Sequence, residues 1–175
     1  MKKLATALFA AALLVSSDAR ADKTKRLEPA EKDAFVALRV FMGDKEEKEW
    51  LKLKTRSERD EWLKKNGSPK SYWDIWYKLD ADTQKDILAG DVKIGFTQEE
   101  VFLAWGEPAD RYRLPGRPAS WSEMFVYKFE ETTKGETLVW VEGSNQTYKA
   151  LKTWQVRLTV DDSRVTSIEQ KDGWE

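Results

Sequence analysis

Residues 95–108 read GFTQEEVFLAWGEP, and this stretch decides the fold. Thr97 stands three positions before Glu100. That is a full capping box, in which the hydroxyl meets a backbone N–H and the carboxylate reaches back. Phe96 occupies the place of the hydrophobic staple. Val101, Ala104 and Trp105 form a one-sided apolar stripe. Gly106 supplies a left-handed stop, and Pro108 prevents continuation. The spacing predicts a short helix with hard edges. Its residues are accounted for by geometry, as architecture rather than a catalytic site.

Downstream the helical pattern ends. Residues 111–113 read as a short strand, and 114–120 (LPGRPAS) as a loop. The aromatic run 124–129 reads as a strand, 132–135 as a turn, 138–141 as another strand, and 143–146 as a second loop. Trp154, Val156, Leu158 and Val160 alternate with Gln155, Arg157 and Thr159, which predicts a strand with one buried face. Residues 161–164 turn and 165–168 return. The expectation is a meander of three or four antiparallel strands, with helices covering one face.

Upstream, residues 22–90 read as helical. Pro29 suits a first turn, and Phe35, Leu38, Phe41 and Met42 recur at helical spacing up to a stop at Gly43. Residues 44–65 are densely charged, around Trp50, Leu51, Leu53, Trp62 and Leu63. The favoured reading there is a solvated helix laced with i,i+4 pairs, with Ser57 and Asp60 capping a second piece. The competing reading is a partner-binding arm whose Trp50 and Trp62 make the contact. Residues 66–69 (NGSP) form a turn. Tyr72, Trp73, Trp76 and Tyr77 then share one side of an aromatic helix, widened by Ile75 and Leu79, and residues 80–82 break it before a last turn. The fold class is therefore α+β.

The first 21 residues read as an address. Lys2 and Lys3 precede an apolar run at 4–15, too short for a bilayer of about 30 Å. The run ends in Ala19-Arg20-Ala21, the pattern of a secretory cleavage site. We expect cleavage after Ala21 and a bacterial export route to the periplasm or beyond. No lipid-bearing Cys follows, and no further stretch reaches membrane length. The full chain has 175 residues with 30 Lys+Arg and 31 Asp+Glu. Cleavage would remove three basic residues and one acidic residue, leaving 154 residues at net −3. There is no Cys and no His, which excludes disulfides, thiol nucleophiles, imidazole chemistry and Cys/His metal sites. The near-zero charge argues against a nucleic-acid partner. All nine Trp lie beyond residue 21, more than a small core readily hides, so some are expected at the surface.

Residues 91–170 resemble the SmpA/OmlA (BamE-like) family, small outer-membrane-associated proteins of the β-barrel assembly machinery. The resemblance is carried by Gly95, Phe96, Thr97, Val101, Gly106 and Pro108. It continues in the Tyr-containing strand MFVYKF at 124–129 and the late pair WQVRLTV and RVTSIE at 154–160 and 164–169. The layout is also similar to β-lactamase inhibitor proteins. The resemblance implies a helix on an antiparallel sheet and a role at the cell envelope. This chain departs from it in lacking a lipidation Cys, in its helical region 22–90, and around 114–120 and 142–150. A second similarity, to GWxTD-domain proteins, rests on Leu53, Glu58, Arg59, Asp60, Trp62 and Leu63. The implied organisation is a signal peptide at 1–21, a helical region at 22–90 and a BamE-like α+β module at 91–175.

Catalysis would have to come from carboxylates. The candidate pairs are Glu99/Glu100, Glu107 with Asp110, and Glu130/Glu131. Glu100 is committed to the capping box, and neighbours on a strand point to opposite faces. Asp161/Asp162 in a turn could hold a cation but lacks a calcium-loop pattern. No G-x-S-x-G or phosphate-cradling loop is present. The sequence therefore points away from an enzyme and implies no cofactor and no metal. A binding surface needs less. Arg111, Tyr112, Arg113, Arg117 and Trp121 cluster in and beside one loop, a composition suited to protein, glycan or anionic lipid. The bland alternative is an ordinary strand and loop with Trp121 capping the core. Trp154 is assigned to the core, Trp174 to a tether or a frayed end, and Asn145-Gln146-Thr147 to chance. Two functions remain open: a non-enzymatic scaffold or partner-binding protein at the envelope, in outer-membrane protein assembly, or an independent periplasmic recognition or inhibitor-like protein for another protein or a glycan.

Overall fold

A computed structural model describes residues 24–66, 68–141 and 150–174. The segment 1–21, Gly67, and the 143–146 and 145–147 features lie outside the described residues. The described chain is α+β and falls into two compact units that divide between Leu88 and Ala89.

The first unit is helical. Helix α1 (Pro29–Leu38) starts on a proline, with the Glu28 N–H donating to the Glu31 carboxylate at 3.3 Å. A 3₁₀ turn (Arg39–Phe41) follows. Gly43 does not stop this helix. It caps the start of α2 (Asp44–Trp50), donating its N–H to Glu46 at 2.9 Å. The charged stretch forms two helices, α2 and α3 (Arg56–Lys65), in keeping with the expected second piece, but it is not solvated throughout: Glu47, Trp50, Leu51, Arg59 and Leu63 are buried. Thr55, not Ser57, caps α3. The Glu58 N–H donates to the Thr55 hydroxyl, and the Thr55 N–H donates to the Glu58 carboxylate at 2.9 Å. Two backbone N–H donors hold the Glu58 carboxyl below its usual range. Helix α4 (Ser68–Trp76) carries the aromatics, and Asp80 caps α5 (Ala81–Ala89) through Thr83.

Burial explains why the charged stretch folds inward. Phe35, Trp50, Leu51 and Leu63 form a core, with Met42, Trp62 and Trp73 packed against it. Phe35 and Trp50 stack at 5.1 Å. Trp50 is fully buried, so it is not an exposed contact of an arm. Beside this core lies a buried ion pair. The Arg59 guanidinium donates to both oxygens of Glu31, at 2.7 and 2.9 Å, and to the Leu53 carbonyl at 3.0 Å. Both side chains are at most 7% exposed. The i,i+4 pairs Arg56–Asp60 and Glu61–Lys65 are longer, at 3.8 and 3.9 Å, and more exposed.

The second unit is built on helix α6 (Gln98–Trp105). Thr97 and Glu100 close the capping box, the Thr97 N–H donating to Glu100 at 2.7 Å. Phe96 and Val101, the two staple positions, are buried. The buried side differs from the expected stripe, because Val101, Phe102 and Leu103 are buried while Ala104 and Trp105 are half-buried. Phe102 packs on Phe125, and Trp105 packs edge-on against Tyr127 and Phe129, so the helix settles on its bulkiest residues. Gly106 ends the helix at φ 78°, ψ −162°. This is an extended positive-φ conformation open to glycine, rather than the left-handed helical one expected.

The sheet contains β1 (Asp110–Arg113), β2 (Ser122–Glu131), β3 (Thr137–Val139), β4 (Lys152–Asp161) and β5 (Arg164–Asp172). The order is β1-β2-β4-β5, with β3 also pairing β2, and every pairing is antiparallel. The strand expected at 138–141 is shorter, at Thr137–Val139. Phe125, Tyr127 and Phe129 share a face with Trp154, Val156, Leu158 and Val160, and α6 lies on that face. Tyr127 donates its hydroxyl to the Gly106 carbonyl at 2.9 Å, and Trp105 donates to the Gly90 carbonyl at 2.9 Å. Trp174 is a tether, its indole N–H meeting the Phe129 carbonyl at 3.0 Å and its ring packing on Trp140.

Removing one member of the buried pair strands the other as an uncompensated charge. Arg59→Ala should lower stability by about 3–5 kcal/mol. Replacing both members, as in Glu31→Met/Arg59→Leu, should recover most of that loss. Denaturant unfolding of the three proteins checks it, and additive losses in the double variant would refute the pairing.

Candidate functional site

The alternation of β1 divides the five residues singled out in the sequence. Arg111 and Arg113 lie opposite Phe125 and Glu123, on the face that carries α6. Tyr112 lies opposite Met124, on the other face, and is 49% exposed. Arg111 covers the Phe125 ring, 4.6 Å from its centroid, and pairs with Glu123 at 3.1 Å. The Arg113 guanidinium carbon sits 3.3 Å from the centre of the Trp121 indole. Trp121 does not cap the core: it is 54% exposed. The structure therefore gathers Arg111, Arg113 and Trp121 around Glu123 and leaves Tyr112 behind the sheet.

Trp121 is exposed yet held. Its N–H donates to the Asp162 carboxylate at 2.9 Å, and its carbonyl accepts from the Asp162 N–H at 2.8 Å. Burial pushes the Glu123 carboxyl up. Hydrogen bonds from the Trp121 and Arg111 side chains, with the charges of both arginines, outweigh it and hold the group below its usual range.

Arg117 does a different job. It grips Asp161 with two parallel bonds, Nε to Oδ1 at 2.9 Å and Nη2 to Oδ2 at 2.7 Å. Ser122 and Thr166 donate to the same carboxylate at 2.6 and 2.7 Å. The guanidinium of Arg117 and these two hydroxyls hold the Asp161 carboxyl far below the usual carboxylate range. Arg117 is thus the pin that fixes the 114–120 loop to the end of β4. Asp161 and Asp162, read from sequence as a turn pair able to hold a cation, serve here as acceptors for the loop. Sequence reasoning noted the two aspartates and missed this use, because their partners lie 41 and 44 positions away.

Of the other carboxylates considered for catalysis, Glu99 lies in the first turn of α6 and Glu107 is exposed just after it. Glu100 closes the capping box. Asp110 pairs with Lys128 at 3.3 Å. Glu130 and Glu131 are consecutive on β2 and point to opposite faces. Among the described residues, no group of three acidic side chains is arranged to hold a metal ion. No described helix is long and apolar enough to cross a membrane. The motif residues Gly95, Phe96, Thr97, Glu100, Val101, Gly106 and Pro108 lie in and around α6. A cavity of about 140 Å³ opens on the α6 face, floored by Trp105, Phe129 and Trp154 and edged by Val92 and Ile168. It is the size of one ring or one branched side chain. No sequence motif marks it, since its walls come from six separate segments.

The Asp161 cluster gives a pH test. A carboxyl whose folded value is depressed adds stability that is present above its unfolded value, near 3.9, and lost as the pH falls through the folded value. Asp161→Asn should therefore lower the thermal midpoint near neutrality, and the gap to the wild type should close below about pH 4. Thermal melts across that range check it. No family model matches the chain, and neither a curated protein nor a solved structure does.

Proposed function

We propose that this chain is a non-enzymatic, exported envelope protein that works as a scaffold or partner-binding module, in the setting of outer-membrane protein assembly. One observation carries the reading. Trp121 is a large aromatic held out into solvent by its backbone clamp on Asp162, with Arg113 stacked on its face. Trp and Arg are the residue types that dominate binding energy at protein contacts. An exposed ring already stacked on Arg113 and hydrogen-bonded to Glu123 has less freedom to lose on docking. Arg111 and Glu123 continue the patch with charge, which suits specificity at a rim. The motif around Thr97 and Gly106 supports the envelope setting through the resemblance to BamE-like proteins, and the apolar run at 4–15 supports export.

A crosslinking pull-down from the protein's own envelope fraction, read by mass spectrometry, tests this. Recovery of a β-barrel assembly component is the expected result. Trp121→Ala should weaken that capture by about 30-fold, which corresponds to a loss of about 2 kcal/mol. The melting curve of the variant should match the wild type, since the ring adds little to the core. Equal capture by both proteins would remove the patch from the reading, and capture of nothing would remove the reading itself.

A further inference from the structure

Strand β5 is the last strand on its side of the sheet, and residues 166–172 are exposed along its length. Its first part is covered. The Val165 N–H donates to the Phe96 carbonyl at 2.8 Å, and the Val165 carbonyl accepts from the Gly95 N–H at 2.8 Å. Beyond this point residues 90–92 stay near β5, lining the α6-face cavity with Ile168 and Gln170, but make no backbone hydrogen bond to residues 168–172 among the described residues.

The direction of each remaining backbone group follows from the ladder. The Gly173 N–H donates to the Thr153 carbonyl at 2.9 Å, so that opposed pair is a hydrogen-bonded one. In an antiparallel pair such positions alternate. Lys171 and Glu169 therefore bond to Gln155 and Arg157, while Asp172, Gln170 and Ile168 turn their N–H and C=O groups away from β4. The irregularity between Thr159 and Val160 flips the parity, which is why Val165 also faces outward. The outcome is a five-residue window, 168–172, with three residues presenting donors and acceptors at the edge. Such an edge is a template for another strand.

The side chains say which strand. The window is centred on Gln170, with Glu169 on one side and Lys171 on the other. These two charges lie on the same face of β5, opposite Arg157 and Gln155, are 61% and 44% exposed, and within one chain meet each other only at 3.8 Å, so a second copy would exchange that long pair for two pairs across the seam. If the window pairs antiparallel with itself about Gln170, Ile168 meets Asp172, Gln170 meets Gln170, and Glu169 of each copy meets Lys171 of the other. The two charge pairs then fall at the non-hydrogen-bonded positions, where opposed side chains are closest. The edge is self-complementary in charge and in hydrogen bonding, as a two-fold interface requires. Its limits also agree. The segment at 95–98 bounds the window on one side, and Gly173, at φ 70°, ends it on the other.

We infer that β5 is a self-association edge, at which two copies of this chain pair antiparallel through residues 168–172 to make one continuous sheet. A contact this short gives a weak, concentration-dependent dimer. It uses a different edge from the Trp121 patch, so either reading can fail without the other.

Sedimentation velocity over a wide range of protein concentration, at low salt, reads the association directly. Glu169→Lys sets lysine against lysine at both symmetric positions, and Lys171→Glu sets glutamate against glutamate. Each single variant should weaken the dimer about tenfold or more. The double variant Glu169→Lys/Lys171→Glu should restore it. Hydrogen exchange supplies a second readout, in which the amides of Ile168, Gln170 and Asp172 gain protection as concentration rises. A chain that stays monomeric throughout would overturn the inference. So would a dimer indifferent to the single swaps, or protection of these amides that appears only when a foreign peptide is added.

Discussion

The register between β2 and β4 is the constraint on which the second unit depends. Ten consecutive residue pairs, from Ser122↔Asp161 to Glu131↔Lys152, set Phe125, Tyr127 and Phe129 beside Leu158, Val156 and Trp154 on one face. A slip of one residue would turn that whole face to solvent. One eight-residue helix lies on it, so the remaining cover has to come from large rings. Phe129 stacks on Trp154 at 5.6 Å, and Trp105 meets both Phe129 and Tyr127 edge-on. Two of the nine tryptophans, Trp105 and Trp154, are spent in this way. Trp121 is the one among the nine that stays largely exposed.

The same register positions the candidate surface. Asp161 ends β4 opposite Ser122 at the start of β2, which brings its carboxylate to the root of the 114–120 loop. Arg117 closes the loop onto it, and Asp162 fixes the backbone of Trp121. The exposed ring is thus fixed by contacts that are themselves consequences of strand pairing. The proposed patch inherits its rigidity from the sheet rather than from its own residues.

The helical unit follows a different logic. Its charged stretch folds inward because Trp50, Leu51 and Leu63 form a core with Phe35, and Arg59 is drawn in with them. The Arg59 head group can be buried there because Glu31 and the Leu53 carbonyl satisfy its donors. A density of charge that reads as a solvated helix thus hides one pair that is not solvated.

Short-range physics was legible in the residues alone. The capping box at Thr97 and Glu100, the positive-φ stop at Gly106, the strict alternation of residues 154–160 and the α+β class all depend on neighbours within a turn or a strand, where spacing is information enough. Even there a local signal was passed over: Thr55 with Glu58 makes a full capping box, a stronger signature than Ser57 with Asp60, and it is Thr55 that caps the helix. What joins distant positions was decided by tertiary structure. Glu31 and Arg59 are 28 positions apart, Arg117 and Asp161 are 44 apart, and the cavity walls span six segments. Each of those side chains has many possible partners in a chain so rich in charge. Only the register of the strands and the seating of the helices leave one within reach.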